Sequence, residues 1–393
     1  GYRALGMDKL HVVIIGAGMG GLTAALALRQ AGFSVEIHER APVLAPIGAG
    51  VSLWSNGVKI LKRLGLGGAI QAIGGCMNDM CYMAKDGATL THFSLAPLLA
   101  AVGQRPYPVA RADLQSMLLD AVGADQVRLG SSCVGVEQDD GAVTALFSDG
   151  RRASGDLLVA ADGTHSILRA AVIGRPVERR YAGYVNFNGL VDASPLLAPP
   201  DTWITFVGDH QRASLMPVGG GRSYFFFDVP LERGAAPLYP GVAAELAHHF
   251  RGWAEPVQRL IGTLDPARVA RLEIFDIDPL PALVRGRVAL LGDAAHSMVP
   301  DLGQGGCQAM EDAWVLANLL LTTEIGVADA LVRYEAARRE RTADITLRAR
   351  KRSNVTHGLE AEKTREWYAE LAREDGSSIL RALANTIQLG PMH

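Results

Sequence analysis

Gly16, Gly18 and Gly21 form a Gly-x-Gly-x-x-Gly run between a short β-branched stretch, Leu10 to Ile15, and a helical stretch, Leu22 to Ala31. Glycines at this spacing allow a tight turn, bring backbone close to a pyrophosphate and let the helix pack against the strand. The helix N-terminus adds free N–H groups and a partial positive charge for phosphates. Glu39 follows the next strand, Ser34 to His38, and stands 18 residues beyond Gly21, where a carboxylate reaches ribose hydroxyls. The pattern predicts a dinucleotide site. On its own it does not separate NAD from FAD.

Two further stretches end a buried strand with an acid beside glycine. Gly155 to Arg169 carries Asp162-Gly163, and Gly286 to Pro300 carries Gly292-Asp293, with Gly303-Gln304-Gly305-Gly306 soon after. Singly, either acid serves equally well as a turn or helix cap. Asp293, His296 and Ser297 have the composition of a hydrolase triad, but no Gly-x-Ser-x-Gly elbow accompanies them. No metal centre is expected, because Cys76, Cys81, Cys133 and Cys307 form no Cys-x-x-Cys pair and no histidine lies at a zinc-like offset. His248-His249 reads as part of a solvated amphipathic helix. The basic run Arg348, Arg350, Lys351, Arg352 reads as a solvated helix face.

In this order the three motifs resemble the single-component FAD-dependent aromatic hydroxylases, the p-hydroxybenzoate-hydroxylase-like flavoproteins. The resemblance runs from Leu10 to about Arg352. It implies non-covalent FAD, with Gly18, Gly20, Glu39 and Arg40 on the ADP half and Ser52, Arg111 and Cys133 as further contacts. Asp162 would lie near the FAD and nicotinamide pyrophosphates, and Asp293 near the ribityl or pyrophosphate region. Pro300, Gly303, Gln304, Gly305, Gly306 and Cys307 would line the isoalloxazine. A helix starting near Gln304 aims its N–H groups at the flavin N1–C2=O edge, where negative charge collects on reduction. There is no second nucleotide fingerprint, which fits a family in which NAD(P)H docks transiently.

Tyr181 to Leu190, Arg212 to Pro217, Arg222 to Pro230, Ser94 to Pro97 and the tail Leu389 to Pro391 resemble the urate-hydroxylating members of that family. This implies urate, NADH and O2 as reactants, 5-hydroxyisourate as product and a flavin C4a-hydroperoxide as oxygen donor. Asn186, Arg212, Tyr224 and Pro300 would meet the substrate, with Arg212 orienting and activating it. A flat, electron-rich anion suits a planar guanidinium fork. The residues alone equally allow Arg212 as a strand arginine paired with a carboxylate, and Tyr224 as a packing ring. Hairpin geometry bears on the choice. If Gly219–Gly221 is a three-residue loop, Val218 faces Arg222, Met216 faces Tyr224, and Arg212 shares a face with Tyr224; a four-residue loop puts them on opposite faces. The remaining readings are hydroxylation of another aromatic acid such as a salicylate-like phenol, an NAD-dependent dehydrogenase, and a flavin-binding interaction protein without turnover.

These residues need a scaffold, and the composition supplies one. The chain has 393 residues, of which 49% are hydrophobic and 20% charged, enough for a sizeable core and too apolar for wholesale disorder. Lys+Arg is 38 against Asp+Glu 41, so nothing draws it to nucleic acid or an anionic membrane. Strands are expected at 127–136, 143–147, 157–160, 203–207, 224–229 and 288–291, and helices at 111–121 and throughout the chain after Val327. The fold class is α/β: a Rossmann-like FAD-binding domain, an inserted antiparallel β-sheet substrate domain and C-terminal helices. The expected FAD-binding segments are 7–80, 105–180 and 272–345, the substrate segments 81–104 and 181–271, and the helical segment 346–393. Unpaired cysteines suggest reduced thiols in a cytoplasmic protein. Met7 is expected to be the natural start, with Gly1 to Gly6 a leader.

Overall fold

Strand His11–Ile15 is apolar after His11 because both its faces are buried: Val12 and Ile14 belong to one core, Val13 and Ile15 to the other. It pairs in parallel with Leu157–Ala160 on one side and Ser34–His38 on the other. The six-stranded sheet continues through Val288–Leu290 to Val284–Arg285 at one edge and Val127–Arg128 at the other. The computed structural model describes residues 10–45, 48–237, 239–324 and 326–392, so the expected start at Met7 lies outside the described residues. Helices Met19–Gln30 and Gly305–Thr322 pack their buried faces on the first core. A three-stranded antiparallel sheet, Cys133–Gln138, Val143–Phe147 and Arg152–Gly155, covers the second.

The strand expected over 127–136 is two strands. Val127–Arg128 pairs with Ile37–His38, the chain turns at Gly130 with φ 66°, and Cys133–Gln138 joins the three-stranded sheet. Gly130-Ser131-Ser132 marks the turn between the two apolar stretches.

The second large sheet has seven strands, in the order Ala270–Asp276, Arg180–Asp192, Arg222–Pro230, Gln211–Val218, Thr202–Gly208, Asp79–Ala84, Thr89–Ser94. Ala270–Asp276 runs straight across the break expected after residue 271. In its central strands, side chains alternate between the two faces. Phe187, Phe206, Leu215, Phe225 and Phe227 lie on one face, packed under helices Val242–His249 and Glu255–Thr263. The opposite face carries Asn186, Trp203, Arg212, Met216, Tyr224 and Phe226, and turns toward the first domain.

Three helices complete the chain: Val327–Thr356, Ala361–Arg373 and Ser377–Gln388. Arg338, 1% exposed, locks the first of them to Gly305–Thr322. Its Nε donates to Asp312 at 2.6 Å, Nη1 to Glu311 at 2.8 Å and Nη2 to the Gln308 amide oxygen at 2.7 Å. Asp312 also accepts from the Gly292 amide at 2.9 Å and from His296 Nε2 at 2.5 Å. Against burial, which raises it, His296 and Arg338 hold the Asp312 carboxyl below its ordinary range. Glu311 is held down likewise by Arg341 and Arg338. Both carboxylates therefore add stability above the usual carboxylate range near pH 4, and that stability is lost as pH falls below it. Arg338→Met leaves two buried carboxylates short of a partner and should cost about 3–5 kcal/mol in denaturant unfolding at neutral pH. The acid-induced loss should shrink in the same variant. A cost below about 1 kcal/mol would mean that water reaches the pair.

Candidate active site

Each glycine of the first motif has its own task. Gly16, at φ 108°, sits against the Ala161 carbonyl, and a Cβ on Gly21 would strike the Gly16 carbonyl, so both serve the turn and the helix–strand contact. Gly18 has open space where a Cβ would be, and it precedes Met19–Gln30 without a side-chain cap. Its free amides look into a groove of two joined lobes, about 630 and 430 Å³. Gly18, Arg111, Gly163 and Asp293 line both lobes. Glu39, Arg40, Cys133 and Asp162 line the first lobe. Glu39 also steadies the turn, accepting from the Ala17 amide at 3.0 Å and the Ala41 amide at 2.8 Å.

Asp162 is a cap. It accepts from Ser166 Oγ at 2.5 Å and from the amides of Ile167 and Leu168, at the start of helix Leu168–Ile173. Asp293 is different: its side chain is exposed, and only its carbonyl is used, by Arg169 Nη2 at 2.9 Å. Arg111 Nε is buried with no hydrogen-bond partner among the described residues. A two-lobed groove with an orphan guanidinium N–H, an open glycine and a free carboxylate fits an extended dinucleotide such as FAD.

The second lobe holds the other expected positions. Gly20, Ser52, Pro300, Gly303, Gly305 and Gly306 line it. Gly303 adopts φ 63° and is packed so tightly against Ser52 and Trp54 that no side chain fits. Gln304 precedes the 18-residue helix Gly305–Thr322 with no side-chain cap, leaving its first amides open to the lobe. The Gln304 and Cys307 side chains do not reach it. Gln304 bonds Asn56 and Gln308, and the Cys307 thiol is turned toward the Trp54 carbonyl, pushed up to about 12 by burial. Any ligand contact at these two positions falls to backbone.

Facing that helix is the polar side of the seven-stranded sheet. Val218 pairs with Arg222 and Met216 with Tyr224, so the hairpin has the three-residue loop and Arg212 shares its face with Tyr224. The same register sets Arg212 opposite Asp228. Arg212 Nε donates to Asp228 at 2.7 Å and Nη2 to Asp301 at 3.3 Å, over the Phe226 ring at 5.1 Å. Nη1 makes no hydrogen bond among the described residues and remains for a ligand. Burial alone would lower the guanidinium pKa; Asp228 and Asp301 reverse this and raise it, so the cation is permanent.

Asn186 lines the cavity, but its amide is committed: Nδ2 donates to Asp228 at 2.8 Å, and Oδ1 accepts from Asn188 at 2.8 Å. Tyr224 packs under Gly50, where a Cβ would meet its ring. Its hydroxyl has no partner among the described residues. Burial, followed by Asp228, pushes that phenol up to about 12, which keeps it a donor.

Sequence reasoning missed three members of this cluster. Asp228 was within reach, because the three-residue loop that aligns Arg212 with Tyr224 also places residue 228 across from 212. Asp301 and His357 left no local signal. Asp301 accepts from the Tyr184 hydroxyl at 2.6 Å and from His357 Nε2 at 3.1 Å; despite burial, His357 and Arg212 bring it down to about 2. The His357 and Tyr184 rings stack at 3.7 Å. Elsewhere, His296 bonds Asp312 and not Asp293, and Ser297 bonds Thr164, so no triad forms. His248 accepts or donates at Tyr239 Oη, 2.9 Å away; of the basic run, Arg348 and Arg350 bond Thr386 and Asp276, and Lys351 is exposed.

Residues 9–349 match the family model of the FAD binding domain. The chain is 50% identical to the FAD-dependent urate hydroxylase of Klebsiella pneumoniae over 98% of its length and 100% of that protein's. It is 49% identical to the FAD-dependent urate hydroxylase of Mycolicibacterium vanbaalenii, over 98% of each. The crystal structure of Klebsiella pneumoniae HpxO complexed with FAD and uric acid superimposes with a TM-score of 0.94, covering 98% of each chain at 49% identity. Among the described residues no helix is long and apolar enough to cross a membrane. With this groove, this sheet and these relatives, the chain belongs to the FAD-dependent aromatic-hydroxylase family of flavoproteins.

Proposed function

We propose that the protein hydroxylates urate to 5-hydroxyisourate, consuming NADH, a proton and O2 and releasing NAD+ and water. The six-stranded sheet and its helices would hold FAD, and the seven-stranded sheet would hold the substrate. The observation that carries this reading is the Arg212–Tyr224 face: one unengaged guanidinium nitrogen and one unengaged phenol point into a cavity closed by the Gly305–Thr322 helix N-terminus. The uric acid complex of a close relative supports the choice of ligand.

FAD, when bound, supplies the redox chemistry: it accepts hydride from the nicotinamide and passes one atom of O2 to the substrate. The chain supplies the rest. Gly18, Gly20, Glu39, Arg40, Ser52, Arg111, Cys133, Asp162 and Asp293 would hold the cofactor. Backbone N–H groups at Gly305 and Gly306 would stabilise negative charge on its ring edge. Arg212 Nη1 and Tyr224 Oη would orient the urate anion, while Asn186 fixes Asp228, and Asp228 with Asp301 fixes Arg212. Trp203, Met216, Phe226, Leu272 and Ile274 line the cavity with apolar surface that keeps water from the reacting atoms.

The purified protein should carry FAD that denaturation releases, and Asp293→Ala should lose it on gel filtration under conditions where the wild type stays yellow. Flavin that remains on the denatured chain would contradict the open, non-covalent groove.

Urate should speed NADH-dependent flavin reduction by more than about tenfold, roughly 1.4 kcal/mol in the barrier, in anaerobic rapid mixing. Salicylate and p-hydroxybenzoate should not. Equal rates with and without urate would favour another aromatic acid or a protein without turnover.

Arg212→Ala should uncouple oxidation from hydroxylation, giving hydrogen peroxide in place of product. Losing one oriented donor costs about 2.7–4 kcal/mol in the step it serves, or roughly 100- to 1000-fold. Arg212→Lys keeps the charge without the fork and should rescue only part. Unchanged product per NADH in the alanine variant would make Arg212 structural.

A further inference from the structure

A second cavity, about 270 Å³, lies behind the substrate lobe and shares Trp203 and Asp301 with it as a partition. Its far side is built from the C-terminal helices. Four aromatic rings line it: Trp54 and Trp203, 6.2 Å apart and tilted by 49°, and Tyr82 and Trp367, 6.3 Å apart and edge to face.

One cation in this cavity has no contacting carboxylate among the described residues. The Arg352 guanidinium lies 4.2 Å from the Trp367 ring centroid and makes no hydrogen bond or ion pair among the described residues. Both other arginines of the same basic run are engaged: Arg348 donates to Thr386 Oγ1 at 2.9 Å, and Arg350 to Asp276 at 2.9 Å and Asp278 at 2.9 Å. The surrounding acids make no direct contact with Arg352. Asp301 is taken by Arg212, Tyr184 and His357. Glu374 accepts from Gly376 and Ser378, and Glu370 is an exposed residue at the rim. Burial lowers the Arg352 pKa and the Arg212 cation adds to this, while Tyr82, Asp301 and Glu370 oppose it from a distance without offsetting it. A half-buried cation over an indole faces a chamber walled by four aromatic rings, with Gln304, Glu370, Glu374 and Ser378 also on its lining, and that pairing of charge and ring suits a flat anionic ring.

We propose that this chamber is a second binding site for a planar heteroaromatic anion, with Arg352 as its charge partner and Trp367, Tyr82, Trp54 and Trp203 as its walls. The choice of urate as the anion rests on the function proposed above. The occupant and the substrate would be neighbours across Trp203 and Asp301.

Equilibrium dialysis of labelled urate against the oxidised, FAD-loaded enzyme without NADH tests this, with flavin absorbance as an independent report of the substrate lobe. The wild type should bind two urates per flavin. Arg352→Gln should weaken the second site by about tenfold or more, as loss of a charged hydrogen-bond partner does. Leu383→Trp, which fills the chamber from helix Ser377–Gln388, should abolish it. Both variants should keep the urate-induced flavin shift. One urate per flavin in the wild type, or a second site that survives both substitutions, overturns the inference. Absence of any Arg212-dependent, flavin-shifting urate site would instead sink the substrate reading itself.

Discussion

Arg338 sits between Asp312 and Glu311 with 1% of its surface exposed, and the geometry of the groove hangs on that contact. Asp312 spends its second oxygen on the Gly292 amide and on His296. One guanidinium thus ties together the Gly305–Thr322 helix, the long Val327–Thr356 helix and the loop that presents Asp293. A buried pair of this kind gains little net stability over an apolar contact, but removing one partner is costly. Its value lies in registry: the amides of Gly305 and Gly306 and the carboxylate of Asp293 keep a fixed separation along the groove.

The substrate side is governed by parity. Successive residues in a strand face opposite ways, so one turn length decides whether Arg212 meets the helix N-terminus or the phenylalanine core. The three glycines of the hairpin set that length, two of them at positive φ. Arg212 then lies among two carboxylates and an aromatic ring with 14% of its side chain exposed. The two acids make the cation permanent and consume two of its three nitrogens. The third is left pointing where a ligand can use it, held in place before anything binds.

The legible parts of this protein were local. The glycine fingerprint, the acid–glycine strand ends and the helix after Gln304 follow from turn chemistry and short-range pattern, and each is found where that pattern puts it. The face shared by Arg212 and Tyr224 was legible up to one alternative, the loop length. Other features needed three dimensions. Asp162, set beside a glycine, serves to cap Leu168–Ile173. The Cys307 thiol and the Gln304 amide turn inward, because a helix start offers its backbone and not its side chains to the groove. Asp301 and His357 are separated by 56 residues and share no motif, yet they share a hydrogen bond.

The basic run from Arg348 to Arg352 marks where charge patterning fails as a guide. Four cations in five residues read as a solvated face, and Asp344, one helical turn before Arg348, pairs with it in keeping with that reading. The other partners come from elsewhere: Asp276 at the end of the sheet's edge strand and Asp278 just after it, Thr386 in the last helix, and the Trp367 ring. The family match ends at residue 349, so Arg352, His357 and Trp367 all lie past it. The groove for the dinucleotide is thus made by the matched region, whereas the back of the Asp301 partition is made by the segment beyond it. Asp301 joins the two, bonded to Arg212 on one side and His357 on the other. A change in the C-terminal helices can therefore reach the Arg212 fork through a single carboxylate, while the fingerprint and its helix stay as they are.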